Sequence, residues 1–294
     1  MIDLIDMIIG GVAIGAIYGL VGMGFVLIIK ASEILNFSQG AMMMLMAYVF
    51  WSMAVQFGLP LWLAFPCTFL IAILLGVLVE RLLLRPMIGQ PLLAIVMMTI
   101  SLSIFFDGAV SFLWQTQTFS LPSFLPGDLT KIGELTISQE YVVSLIIVPI
   151  LAAALSLFFL RTKLGLAMRS VAEDEQASQA LGMRPTTVYM IAWVISFIIA
   201  TVAGILFASM QSVSYTISNL GLKVFAVVLL GGLDSLIGAA LAGIIVGILE
   251  NLSAWYIDPI VGGGIKEIAP YVVMIVVLMV RPSGLFGSPK IERV

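Results

Sequence analysis

From Met7 to Ile29 the chain runs 23 residues without one charged side chain. About 20 such residues, wound as a helix, cross the hydrocarbon core of a bilayer. Lipid offers no partner to a backbone N–H or C=O, so a spanning segment of this kind has to be helical. Comparable runs follow at 41–57, 61–79, 92–113, 141–160, 189–210 and 235–257. The run 222–230 is apolar but too short to cross alone, and 265–280 is marginal. Composition agrees: 62% of residues are hydrophobic and 10% charged, against roughly 45–50% and 25% in soluble domains. The expectation is an all-α polytopic membrane protein, a single transmembrane domain over residues 1–294. It has eight or nine transmembrane helices, some of them broken or re-entrant.

Charge placement sets the orientation. Asp3 and Asp6, not a positive leader, precede the first run, so it reads as a retained helix rather than a cleaved signal. Residues 30–40, 80–91, 161–188 and 281–294 together hold ten Lys and Arg, whereas the loops between the opposite ends hold only Lys131. Cationic loops stay in the cytosol. The N-terminus is therefore expected outside and the C-terminus inside, which requires an odd number of crossings.

Two stripes of small residues stand at four-residue spacing: Gly11, Gly15 and Gly19, then Ala239, Gly243 and Gly247. Such stripes let helix backbones approach closely, and tight packing is the expected role. Two short polar breaks, Asn36-Phe37-Ser38-Gln39-Gly40 and Gly231-Gly232-Leu233-Asp234-Ser235, interrupt apolar runs in similar ways. Transporters carry broken helices at matching positions of internal repeats. Asn36, Ser38, Gln39, Gly40, Gly231, Gly232 and Ser235 are therefore candidate path residues. Asp107 and Glu250 fall inside apolar runs, where an ionisable group is costly and marks a candidate functional position. Both join the candidate path, with snorkelling or interfacial pairing as the alternative.

Residues 161–188 form the most polar stretch. Ser170-Val171-Ala172-Glu173 fits a capping box, and Glu173, Asp174 and Glu175 suit the positive end of a helix. Gly182 is placed to end it, and Pro185 blocks continuation. The spacing predicts a short cytosolic helix over 171–181, longer than a plain connector needs and suited to contact a partner protein.

Residue types exclude several chemistries. There is no His, Cys67 is the single cysteine, and no Gly-Lys dipeptide occurs. A phosphate loop of the Gly-x-x-x-x-Gly-Lys-Ser/Thr kind is therefore absent from the sequence. A His-assisted nucleophile or metal cluster has no residues to build on. An ion-coupled secondary transporter would want a relay of membrane carboxylates or His, and two scattered acids supply little of one. The chain reads as a transport subunit rather than an enzyme.

The same residues carry a resemblance. Asn36-Phe37-Ser38-Gln39-Gly40 leading to Ala47-Tyr48, Glu80-Arg81 with Arg85-Pro86, Thr162 through Ser170 to Leu181-Gly182-Met183, Gly221-Leu222-Lys223 through Gly231-Gly232 to Glu250, and Arg281-Pro282-Ser283-Gly284-Leu285-Phe286-Gly287 occur in order along the chain. This resembles the integral-membrane permeases of branched-chain amino acid ABC transporters. The resemblance implies a second permease, related or identical, two cytosolic ATPase subunits that hydrolyse ATP, and an extracytoplasmic binding protein that delivers an amino acid. It also implies a multi-pass protein of the bacterial plasma (inner) membrane, with no cofactor bound by this chain and no nucleic acid partner. Relatives that carry amides or urea leave that alternative open.

The family's Glu-Ala-Ala-x-x-x-Gly coupling pattern aligns on Gln176, Ala177, Ser178 and Gly182, with Glu175 one place early. Glu173, Asp174, Glu175, Gln176, Ala177, Ser178 and Gly182 are thus the candidate ATPase contacts. Ala41 stands where the family pattern has Glu. The implied mechanism is alternating access: the binding protein docks on residues 114–140 around Pro122, Pro126 and Gly127, and the ATPases push on 171–182.

Overall fold

The computed structural model describes residues 2–122, 129–132 and 135–287. Pro126 and Gly127 of the expected outer loop, and Lys290 and Arg293 of the basic tail, lie outside the described residues. The helices are α1 (Ile2–Ser32), α2 (Gln39–Trp51), α3 (Leu61–Val79), α4 (Leu92–Trp114), α5 (Gln139–Arg161), α6 (Lys163–Glu173), α7 (Glu175–Ala180), α8 (Pro185–Met210), α9 (Leu220–Gly231), α10 (Leu236–Tyr256), α11 (Asp258–Val261) and α12 (Ile265–Val280). Wider π turns extend α2 over Ser52–Gln56 and α3 over Glu80–Leu84, and a 3-10 turn, Tyr215–Asn219, leads into α9. One short antiparallel hairpin, β1 (Leu129–Ile132) and β2 (Leu135–Ser138), precedes α5, with Leu129 opposite Ser138. Apart from this hairpin the described residues form the expected all-α polytopic membrane body.

Among the described residues, six helices are long and apolar enough to cross a membrane: Asp6–Ser32, Leu61–Met87, Leu92–Trp114, Gln139–Arg161, Pro185–Met210 and Leu236–Tyr256. Three further apolar helices are shorter: α2 with 13 residues, α9 with 12 and α12 with 16. The eight or nine expected spans thus divide into six full-length helices and three short ones. Polar residues set the short lengths. α2 starts at the Asn36–Gln39 break, and α9 stops at Gly231-Gly232.

The chain divides into two compact units. The first holds α1 to Val26, the hairpin with the start of α5, and everything from Lys223 onward. Its core is the meeting of the two small-residue stripes. A carbon added at Gly11 would lie 2.9 Å from Ile248 Cα, at Gly15 2.8 Å from Ile244 Cα, and at Gly19 2.9 Å from Ala240 Cα. Positions rise along α1 as they fall along α10, so the two helices run antiparallel with their backbones nearly touching. Asn251 Nδ2 closes one end by donating to Met7 O at 3.1 Å. α12 packs on α10.

The second unit holds 27–123 and 153–222. Here α8 packs against α2 and α3, with Trp193, Phe197, Ala200 and Ala203 fully buried. One end carries an aromatic cluster: Trp51 stacks on Phe119 at 3.7 Å, Tyr48 donates to Gln117 O at 2.7 Å, and Trp114 donates to Ser52 Oγ at 2.8 Å. The outward faces of α3 and α4 are apolar and exposed, with Leu74, Leu78, Phe105 and Phe112 among them. That is the surface a helix presents to lipid.

Gly243→Leu is expected to force α1 and α10 apart and lower stability by about 1–3 kcal/mol or more. Thermal melting in detergent reads this as a lower midpoint or lost folded protein. Gly108→Leu, where an added carbon meets nothing within 4 Å, should melt like the native chain.

Candidate functional site

The first polar break lies inside the second unit. After α1 ends at Ser32, Asn36 folds the chain back by accepting at Oδ1 from Ser38 N at 3.1 Å and Ser38 Oγ at 2.6 Å. Asn36 Nδ2 donates to Gln39 Oε1 at 2.9 Å, and Ser196 Oγ of α8 donates to the same oxygen at 2.9 Å. Asn36, Ser38 and Gln39 are at most 1% exposed. Buried polar groups are tolerated when they bond one another. The turned Ser38 hydroxyl leaves the start of α2 without a side-chain cap. Gly40 lies against the start of α9, where an added carbon would be 2.7 Å from Gly221 Cα. Asp107 of α4 accepts from Ser218 Oγ at 2.7 Å, just before that contact.

The second break belongs to the first unit. Gly231 ends α9, Gly232 takes φ +105°, and Ser235 Oγ accepts from Gly238 N at 2.9 Å to cap α10. The chain's own tail lies over this turn. Leu285 N donates to Leu230 O at 2.8 Å and Phe286 N to Gly231 O at 3.1 Å. The Arg281–Gly287 stretch thereby supplies donors to the last carbonyls of α9, which no helical N–H can reach.

Glu250 of α10 is 1% exposed. Lys223 of α9 donates to it and also to Glu267 Oε2, the latter at 2.6 Å. The Tyr18 hydroxyl of α1 lies close to Glu250. Lys223 is itself buried, while the Glu267 side chain is 66% exposed. Lys223 was not among the residues expected to line the path. The available signal was its place in an apolar run, since a buried carboxylate requires a counter-charge. Asp107 and Glu250 therefore have separate partners, Ser218 and Lys223.

The polar loop over 161–188 folds differently from its predicted form. One helix from Val171 opened by Ser170 is replaced by two. α6 starts earlier, at Lys163, because Thr162 Oγ1 accepts from Gly165 N at 3.0 Å. Ser170 lies within α6, so the Ser170–Glu173 box does not form. Asp174, at φ −156°, breaks the helix and caps α7 by accepting from Ala177 N at 2.9 Å. An aspartate side chain competes with helical bonding in this way. Gly182 ends α7 as expected, at φ +85°. Its N–H bonds Gln179 O at 2.9 Å and Met183 N bonds Ser178 O at 3.0 Å. That pair of bonds is a Schellman closure, which favours glycine.

Pro185 then begins α8. Glu175 accepts from the Tyr189 hydroxyl of α8 at 3.1 Å, and Ser178 is buried. Glu173, Asp174, Gln176, Ala177 and Gly182 are exposed, together with Leu181 at 79%. Beside them runs a cleft of about 250 Å³ lined by Ser32, Glu33, Val171, Glu173, Glu175 and Tyr189. Among the described residues no group of His, Cys, Asp and Glu could hold a metal ion.

Comparison with known proteins follows the same lines. Residues 7–280 match the family described as "Branched-chain amino acid transport system / permease component". The high-affinity branched-chain amino acid transport system permease protein BraD of Pseudomonas aeruginosa is 27% identical over 302 residues, covering 99% of this chain and 98% of its own. The corresponding protein LivH of Salmonella typhimurium is 28% identical over 298 residues, covering 97% and 96%. Among solved structures, PsaBC from Streptococcus pneumoniae in complex with Fab aligns with a TM-score of 0.49 and 12% identity, over 92% of this chain and 89% of that one.

Lys223→Met strands a buried carboxylate and is expected to cost about 3–5 kcal/mol. Lys223→Met with Glu250→Gln should recover most of that loss. Yield of folded protein and melting midpoint in detergent measure both, and a single variant as stable as the native chain would refute the pairing.

Proposed function

We propose a function from one premise: the chain belongs to the branched-chain amino acid transport system permease component family. It is a multi-pass membrane permease subunit of an ABC importer. In this reading it carries branched-chain or related amino acids across the bacterial plasma (inner) membrane. It works with a second permease, related or identical, two cytosolic ATPase subunits and an extracytoplasmic binding protein. The N-terminus is outside and the C-terminus in the cytosol. The chain holds no cofactor of its own, and ATP is hydrolysed by the partners.

The observation that carries this reading is the construction of 162–185. Three separate devices hold α7 rigid: the Asp174 cap, the Gly182 closure and the Tyr189–Glu175 bond. Its outer side presents Ala177 and Leu181 to solvent. A displacement of α7 passes through the tyrosine bond and the short 181–184 turn into α8. α8 in turn packs on α2 and α3 and holds Ser196 against Gln39. A motor bearing on α7 thus reaches the polar break through contiguous packed elements, and the break is where a helix can shift without tearing a hydrogen-bond ladder.

Two measurements test this. Gly182→Pro, whose ring requires φ near −65°, and Ala177→Trp should both leave ATP hydrolysis by the assembled complex and reduce uptake per ATP. Normal coupling in both, at equal expression, would remove α7 as the coupling element. In a Cys67→Ser background, Ala177→Cys should react with an impermeant maleimide only from the cytosolic side, and Ile260→Cys only from outside. The reverse pattern would overturn the orientation. Gradient-driven uptake by the chain alone would replace the importer reading with ion coupling.

A further inference from the structure

The break before α2 has an unbalanced hydrogen-bond inventory. Gln39 is 1% exposed. Its Oε1 accepts twice, from Asn36 and Ser196, but its Nε2 donates to no protein atom. One helical turn before Ser196 on α8, Trp193 is fully buried and its Nε1 likewise meets no acceptor. The large majority of buried polar groups in proteins are bonded. Two buried N–H donors left open, one on a member of the bonded pair and one a helical turn along α8 from the other member, are therefore an exception that calls for an acceptor. A third feature has the same polarity. The N-terminus of the 13-residue α2 opens at this point with no side-chain cap, because Ser38 is committed to Asn36. The start of a helix presents N–H groups and partial positive charge, which favours an anionic oxygen.

We infer that Gln39, at the start of α2, is a positioning and specificity residue for the transported solute, donating from Nε2 to its carboxylate as the solute passes the break. This rests on the permease reading and names the part of the solute recognised there. The chemistry is a neutral amide donor plus a helix N-terminus, with no lysine, arginine or histidine among the residues of the buried network. Such a site orients a carboxylate without forming a full ion pair, so the solute is held loosely enough to leave. Broken helices whose N-termini meet anionic groups are a recurring arrangement in transporters. The side chain of an apolar amino acid would then lie against the methionines that follow, of which Met42, Met43, Met44 and Met46 are all buried. Methionine adapts its shape to varied apolar groups.

The test uses the whole complex, with both permeases, ATPases and binding protein, in proteoliposomes with radiolabelled L-leucine. Gln39→Glu retains an acceptor for Asn36 and Ser196 but sets a carboxylate against the solute's own. Gln39→Met keeps the volume and removes the donor. ATP hydrolysis stimulated by the loaded binding protein should persist in both. Leucine taken up per ATP should fall by at least about ten-fold, the scale of one lost charge-assisted hydrogen bond. Uptake per ATP within two-fold of native in either variant overturns the proposal, because Gln39 then only closes the fold. Failure of both variants to assemble overturns it as well. Absence of ATP-dependent uptake in the native complex would instead defeat the permease reading itself, a distinct outcome that the native control reports first.

Discussion

In hydrocarbon there is no water to receive a hydrogen bond, and the structure depends on that constraint. A polar group carried into the apolar body is costly unless it finds its partner within the protein. Asn36, Ser38, the Gln39 carbonyl oxygen and Ser196 bond one another across a helix break, leaving Gln39 Nε2 open. Lys223 answers Glu250, and Ser218 answers Asp107. The tail segment covers the carbonyl end of α9. An open helix end is as costly as an open side chain, so the two breaks needed different devices. One is bridged by side chains that fold back on the chain, and the other is sealed by a distant backbone segment.

The same solvent explains the packing. Lipid is as apolar as leucine, so bringing two apolar helices together gains little hydrophobic energy. Close van der Waals contact has to replace it, and contact closes best where no side chain intervenes. Gly11, Gly15 and Gly19 meet residues 240–248 of α10 for that reason. The larger apolar side chains, including Leu74, Phe105 and Phe112, remain on outward faces where they cost nothing.

The helical membrane body was legible because it follows from composition and run length alone. The two stripes were legible as packing surfaces, but not as each other's partners, since spacing says nothing of who sits opposite. Lys223 was missed because one cation near a run boundary looks like a snorkelling residue until its carboxylate is located. The Ser170-x-x-Glu173 pattern read locally as the cap, yet the chain caps its helices at Thr162 and Asp174. Thr162 stops α5 and starts α6 in one turn, with its hydroxyl also donating to Phe158 O at 2.6 Å. The role of 281–287 as a cap for α9 could not be read locally at all, because its partners lie some fifty residues upstream.

The open donors at Gln39 and Trp193 have an energetic meaning beyond their positions. A buried donor without an acceptor costs about 1–3 kcal/mol. A conformation holding two of them is raised relative to one in which an oxygen has arrived. A solute that brings that oxygen therefore interacts differently with the two conformations, and only such a difference can shift an equilibrium between them. In the proposed mechanism the ATPases supply force through α7, but a motor alone would turn the gate whether loaded or empty. An incomplete hydrogen-bond set at the break gives the gate a reason to prefer its loaded form. The lack of an ion pair there keeps that preference small enough for release. On that proposal the incompleteness of the Gln39 network is a requirement of transport, placed where α8 would carry the stroke from α7 to the break.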